Sequence, residues 1–267
     1  MRPWLLRSVG SSWDAVASPF ARSRYYNEYR TVELQNTFYD LPSLEYADKL
    51  REEAPEDFHW NMKAWQALTH PPTSPTWRRA RRRPQGEPSN IGLLRPTREN
   101  LEAWKAVREF AERLAARVVV LQTPPSLKPG EEQAKWIDKF FEMIRGDYSF
   151  AVGWEPRGGW NSEPELLRRL VCRHNIIHIV DPLRWDPVTC NGQRILYFRL
   201  HGRGGREVNY RYRYTDEDLE ELARRVAGLL EQNNPIERVY VMFNNVYMAE
   251  DSRRFRRHAR RMGLDAC

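Results

Sequence analysis

Short runs of strand-forming residues alternate with amphipathic helical runs along nearly the whole chain, and few architectures accept that order. WLLRSV (4–9), TVELQNTF (31–38), FHWNMKA (58–64), RVVVLQTP (117–124), SFAVGWEP (149–156), IIHIVDP (176–182), RILYFRLHG (194–202) and RVYVMFNN (238–245) read as eight strands. Several are continuous apolar runs, as strands covered on both faces must be. The helical signals between them are local. Pro42 and Ser43 start a helix over 43–54, and Thr97 caps one in which Leu101, Trp104, Val107, Phe110, Ala111 and Leu114 recur at helical spacing. Trp136, Ile137, Phe140 and Phe141 share a face over 130–144. Ser162 and Glu165 form a capping-box pattern with Pro164 in the first turn. Thr215 and Asp218 open a helix that ends near Gln232, and a basic helix over 249–262 follows the last strand. Strand and helix repeated in this way imply parallel pairing with right-handed crossovers. Eight such units close into a TIM-like (β/α)8 barrel of about 250 residues, so residues 1–267 read as a single barrel domain. An open doubly wound sheet is the competitor, but no glycine-rich phosphate turn follows the first strand.

The composition narrows the setting. No apolar run approaches the roughly 18 residues of a membrane span, and the N-terminus reaches Asp14 too soon for a signal peptide. No membrane partner is expected. The three cysteines, Cys172, Cys190 and Cys267, are odd in number and form no CxxC pair. That spacing argues against a disulfide framework or a structural zinc site and points to a reducing cytoplasm. Richness in Arg, Glu and Pro leans towards a thermophile. Forty-three Lys and Arg against 36 Asp and Glu give a net charge of +7. Such a surface suits nucleic acid or phosphorylated ligands, although runs such as DEDLEELARR (216–225) pair their charges along a helix.

The connection over 65–96 is the irregular segment. It is an Arg/Pro-rich insertion too long for an ordinary βα loop, with six arginines within 78–95 and five of them between Arg78 and Arg83. Loops of this kind are functional or mobile. In a barrel, reactive groups gather at the C-terminal ends of the strands, and polar residues fall there repeatedly. Glu33 and Gln35 share a face of strand two. Lys63 ends strand three, with His70 shortly after. Gln122 ends strand four, Glu155 and Arg157 strand five, and Asp181 strand six. Arg199 and His201 share a face of strand seven, and Asn244 and Asn245 end strand eight. Ionic groups on apolar strands need pairing or a wet cavity. The plain reading is internal salt bridges, such as Glu33 with Lys63 or Glu155 with Arg199.

The functional reading is a site. Lys63, Arg157, Arg199, His201 and the asparagines can donate to phosphate, and Gln122 and Tyr212 complete the ligand-binding set. Trp65, Trp77, Trp154, Trp160, Tyr210, Tyr212 and Tyr214 are candidates to stack on bases, with core packing the alternative for Trp154. His201, Glu155, Glu33, His70 and Asp181 are the catalytic candidates, His201 or Glu155 serving as general acid or base. The carboxylates and histidines are acceptable ligands for a divalent metal, but Lys63 and Arg199 would compete with a cation, so a metal is not favoured. No HExxH, GxSxG elbow or Walker loop is present. Ser11 and Ser12, after Gly10, offer hydroxyls or backbone donors at the end of strand one.

VELQNTFYDLP (32–42), Lys63 with Thr69 and His70, VLQTPPSLKP (120–129), WEPRGGW (154–160), FRLHG (198–202) followed by Tyr–Arg–Tyr, and VYVMFNN (239–245) together resemble the YecE-like family, a bacterial and archaeal domain of unknown function, number seventy-two. The resemblance runs from about Val9 to Met262, with the motifs in order. It implies a TIM-type barrel. It also places Glu33, Lys63, His70, Gln122, Glu155, Arg157, Arg199, His201, Asn244 and Asn245 on the family's motif positions. Gln35, often Asn in the family, and the first motif GSSW (10–13) are departures. A likeness of that family to apurinic-type barrel endonucleases suggests nucleic-acid binding or phosphodiester cleavage. This chain has too few histidines near its strand ends to copy their three-metal cluster. The expectation is therefore a barrel protein with a polar, basic pocket that binds nucleic acid or cleaves phosphodiesters. An enzyme of phosphorylated or sugar-like small molecules is the alternative, and a non-catalytic binding protein the second.

Overall fold

A computed structural model describes residues 5–8, 19–205, 207–232 and 235–267. The elements run β1 (Leu5–Ser8), α1 (Pro19–Glu28), β2 (Thr31–Leu34), α2 (Asn36–Tyr39), α3 (Leu44–Glu53), β3 (His59–Lys63), α4 (Arg98–Leu114), β4 (Val118–Gln122), α5 (Glu131–Met143), β5 (Ala151–Glu155), α6 (Pro164–Arg173), β6 (Ile177–His178), β7 (Ile195–Leu200), α7 (Asp216–Glu231), β8 (Arg238–Phe243), α8 (Met248–Arg261) and β9 (Asp265–Ala266). Among the described residues no helix is long and apolar enough to cross a membrane. The chain divides into two compact units, one of Met1–Glu33 and Ile177–Cys267, the other of Leu34–Ile176.

In the contiguous unit β3, β4 and β5 are parallel neighbours. Asn61, Met62 and Lys63 lie opposite Val118, Val119 and Val120, and Gln122 lies opposite Glu155. Val118 to Leu121 are wholly buried, as the unbroken apolar run requires. The apolar stripe of α4 buries Trp104, Val107, Phe110 and Leu114. Thr97 caps that helix, its hydroxyl accepting from the Asn100 amide, and Ala115 ends it in the left-handed region. Phe140 and Phe141 of α5 are buried, and Phe141 meets Trp154 edge-on at 5.9 Å, with Trp160 beyond at 5.1 Å.

The other unit has the strand order β7-β8-β1-β9. Leu5 to Ser8 run parallel to Arg238 to Val241 on one side, and Leu5 and Leu6 pair with Asp265 and Ala266 on the other. Its core joins Phe198, Val241 and Phe243 of the strands to Leu222 and Val226 of α7 and Phe255 of α8. Each such burial contributes roughly 1.5–3 kcal/mol.

Several expectations change. The second strand stops at Leu34, and Gln35 leads into the single turn α2, so Glu33 and Gln35 do not share a strand face. Helix α1 carries no aliphatic stripe to announce it; it buries Tyr25 and Tyr26 instead, with Tyr29 just past its end packing on Tyr25 at 4.8 Å. The capping box at Ser162 and Glu165 does not form, because Ser162 closes a 3-10 turn over Trp160–Ser162 and α6 starts one residue later. The sixth strand shrinks to Ile177–His178 plus a single bridge from Val180 to Phe198. GSSW (10–13), with Ser11 and Ser12, lies outside the described residues.

Candidate functional site

The contiguous unit holds one set of candidates. Lys63 ends β3 and is buried. Its backbone carbonyl accepts from the Thr37 hydroxyl at 2.7 Å, and its ammonium lies 3.6 Å from the centre of the Phe38 ring. The same ring meets His70 edge-on at 4.9 Å. Phe38 therefore sits between a cation and an imidazole. His70 Nδ1 is bonded to the Thr69 hydroxyl at 2.8 Å. Burial, with the charges of Lys63 and Arg157 adding to it, lowers His70 from 6.5 to about 3. The ring is neutral at any ordinary pH. Arg157, two residues beyond the end of β5, donates through Nη2 to Glu155 Oε1 at 2.7 Å, and both side chains are buried. Glu155 is thus held in a charge-assisted bond. Gln122 is half-buried at the neighbouring strand end. Gly158, at φ +74°, lets the turn after Arg157 approach the chain at Pro125, where a Cβ would meet the Pro125 carbonyl oxygen at 2.3 Å.

The long 65–96 connection belongs to this unit and is ordered. It folds as three 3-10 turns, Gln66–Leu68, Pro75–Arg79 and Pro88–Asn90. Trp77 is buried and donates to the Pro71 carbonyl. Asn100 of α4 clamps the far end, accepting from the Gly92 amide and donating to the Gly92 and Arg95 carbonyls. Asp40, just past α2, accepts from the backbone amides of Arg81 and Arg82 at 2.8 and 2.9 Å.

The second set lies in the other unit. Arg199 and Glu33 form a salt bridge at 2.8 Å, 1% and 3% exposed, and Tyr197 donates its hydroxyl to the second Glu33 oxygen at 2.7 Å. Glu33 thus pairs with Arg199, and Glu155 with Arg157. Asp181 takes the Leu183 amide on one oxygen and the His201 amide on the other. Burial pushes its carboxyl up to about 6. His201 lies one residue past the end of β7, its Nδ1 3.3 Å from Asn244 Nδ2. Asn245 spends its amide on the Tyr212 carbonyl and Asp251, and its buried Oδ1 has no partner among the described residues. Tyr212 donates to Asp218 at 2.6 Å; burial first, then that carboxylate, pushes its phenol up to about 12. Trp154 and Trp160 are core residues, their indoles bonded to Thr123 and the Leu127 carbonyl.

Sequence reasoning did not identify Phe38, Asp40, Asn100 or Tyr197. Tyr197 carried a usable signal, since it stands two residues from Arg199 on one strand. Asp40 did not, being 41 residues from the amide of Arg81 that it binds. Among the described residues no group of three or more His, Cys, Asp and Glu is placed to hold a metal.

Comparison with solved structures gives the same fold over nearly the full length. A DUF72 family protein from Enterococcus faecalis V583 matches with a TM-score of 0.69 at 17% identity, over 95% of this chain and 97% of that one. A xylose isomerase domain containing protein from Salmonella typhimurium LT2 matches at 0.55 and 14%, over 98% and 99%. Endonuclease IV from Thermus thermophilus matches at 0.53 and 11%, over 97% and 100%. At these identities the likeness is of fold, the TIM-like α/β barrel class. No curated protein matches the chain. The family described as a protein of unknown function, DUF72, matches residues 15–266, and the chain belongs to it.

Proposed function

We propose that the chain binds a phosphate group of a nucleic-acid strand at Lys63 and Arg157 and hydrolyses a phosphodiester bond there. The observation that carries this reading is the convergence of two buried cations on a buried neutral histidine. Guanidinium and ammonium groups at strand C-terminal ends are suited to phosphate oxygens. Glu155 fixes the fork of Arg157 and serves as its orienting partner. His70 is too weak a base while it lies buried beside both cations. A bound phosphate cancels part of their field and raises the imidazole towards the range in which it can take a proton from the attacking water. The Thr69 hydroxyl on Nδ1 leaves Nε2 for that transfer. Asp181, His201, Asn244 and Asn245 belong to a second network and are assigned to loop geometry in this reading. The net charge of +7 and the nuclease among the fold neighbours lend general support.

The test is calorimetric titration with inorganic phosphate, followed by oligonucleotide cleavage with and without divalent cations. Lys63→Met and Arg157→Gln should each weaken phosphate binding tenfold or more. His70→Asn should retain binding and lose turnover. Phosphate binding that is indifferent to Lys63 and Arg157 would remove the proposal. Turnover of sugar phosphates but not of oligonucleotides would move the same site to a small-molecule substrate.

A further inference from the structure

The arginines of this protein are not all used alike. Several exposed helix arginines face carboxylates: Arg108 with Glu112 at 2.8 Å, Arg113 with Asp48 at 2.6 Å, Arg169 with Glu131 at 2.8 Å, Arg173 with Asp138 at 2.8 Å. On the 65–96 connection a cluster of arginines has no such partners among the described residues. Arg78, Arg81, Arg82 and Arg83 are exposed within six residues. Among the described residues, no carboxylate lies within ion-pair distance of any of the four. Four like charges this close repel one another, and nothing within the segment offsets that cost.

The segment is nevertheless rigid, and rigid in a way that leaves those charges out. Asp40 takes the backbone amides of Arg81 and Arg82 and not their guanidinium groups. Trp77 is buried beneath it, with the Arg83 guanidinium 5.8 Å from the ring. Arg79 lies over Tyr39 at 4.3 Å and donates to its hydroxyl at 2.7 Å. A row of cations on a backbone held before any ligand arrives is suited to read a phosphate backbone, since the main-chain ordering entropy is already spent.

Beside this row is a cavity of about 600 Å³ whose lining includes Trp65, Arg83, Arg98, Glu99 and Glu102. Trp65 is half-buried and fixed, its indole N–H bonded to the Tyr39 carbonyl at 3.2 Å and its ring edge-on to Trp77. The cavity is large enough for an unstacked base. An indole and guanidinium planes are the surfaces on which bases stack, and carboxylates accept from exocyclic amino groups while repelling phosphate. The two features sort a strand: phosphates to the arginine row, a base to the cavity.

We infer that the Arg78–Arg83 segment and the Trp65 cavity form a docking site for single-stranded nucleic acid, which keeps the backbone on the arginines and places one base against Trp65. A duplex must first break pairing and stacking to present such a base, so the single strand is the form favoured. The inference deepens the nucleic-acid reading above, but its residues are separate from Lys63, His70 and Arg157.

The experiment is fluorescence anisotropy with a labelled twelve-nucleotide single strand and the corresponding duplex, over a salt series. Three proteins are compared: wild type, the exposed quadruple variant Arg78→Gln/Arg81→Gln/Arg82→Gln/Arg83→Gln, and Trp65→Leu. Wild type should prefer the single strand. The quadruple variant should lose most affinity and flatten the slope of log affinity against log salt by about 3, roughly 0.7 for each of four phosphate contacts. Trp65→Leu should weaken single-strand binding about tenfold and leave the salt slope as it was. Equal affinity for duplex, or a quadruple variant that binds as wild type does, overturns the inference. Titration of inorganic phosphate against the quadruple variant, which lacks the arginine row, reports on the Lys63 and Arg157 site. Phosphate binding without strand binding rejects the docking site and spares the pocket; loop-dependent strand binding without phosphate binding does the reverse.

Discussion

His70 and Asp181 are buried titratable groups displaced in opposite directions on the pH scale, and they act on stability with opposite signs. His70 is held near 3 in the folded chain against 6.5 when exposed, chiefly by burial and then by Lys63 and Arg157. The unfolded chain therefore binds the extra proton first as pH falls. The stability His70 contributes is complete above 6.5 and is lost progressively towards 3. Asp181 is raised by burial from 3.8 to about 6. Its contribution is complete below 3.8 and is lost as pH rises through 6, on the order of 3 kcal/mol. Chemical denaturation from pH 3 to 8 should show His70→Gln losing less stability on acidification than wild type, and Asp181→Asn losing less between pH 4 and 6. Superimposable profiles for His70→Gln and wild type would show that the imidazole is not held neutral. Sequence made these residues visible because charged side chains stand out at the ends of apolar runs. It did not give their partners. Glu33 meets an arginine 166 residues away, whereas Glu155 meets one only two residues on. Nothing in the spacing favours the long reach in one case and the short in the other.

Among the elements, helix starts separate what a local pattern can and cannot announce. Thr215 and Asp218 form the reciprocal capping box that their spacing predicts, the hydroxyl accepting from the Asp218 amide and the carboxylate from the Thr215 amide at 3.0 Å. Ser162 and Glu165 have the same spacing and no such bond, because the chain before α6 is committed to a 3-10 turn closed from Ser162 to the Gly159 carbonyl. Thr215→Ala should cost about 1 kcal/mol, and Ser162→Ala nearly nothing, in paired urea melts. A capping motif is a statement about one turn, and the preceding turn can overrule it. Helix α1 escaped detection for the converse reason: a tyrosine face packs well but does not mark itself as apolar. The long strands and α4 were legible because burial on both faces, or along one full stripe, leaves a pattern no neighbouring turn can erase.

At the scale of the molecule, the strand order β7-β8-β1-β9 bears on the synthesis of the chain. Strand β1 is made before β2 to β7, yet both its neighbours come after them, and Leu5 waits for Asp265. At translation rates of about 5–20 residues per second, that delay is on the order of ten seconds to a minute. Throughout it the nascent chain carries a strand with both edges open, while the unit Leu34–Ile176 is contiguous in sequence. Strand β1 then finds its place only when the later strands β8 and β9 arrive, and a ribosome-proximal chaperone would meet this protein at β1.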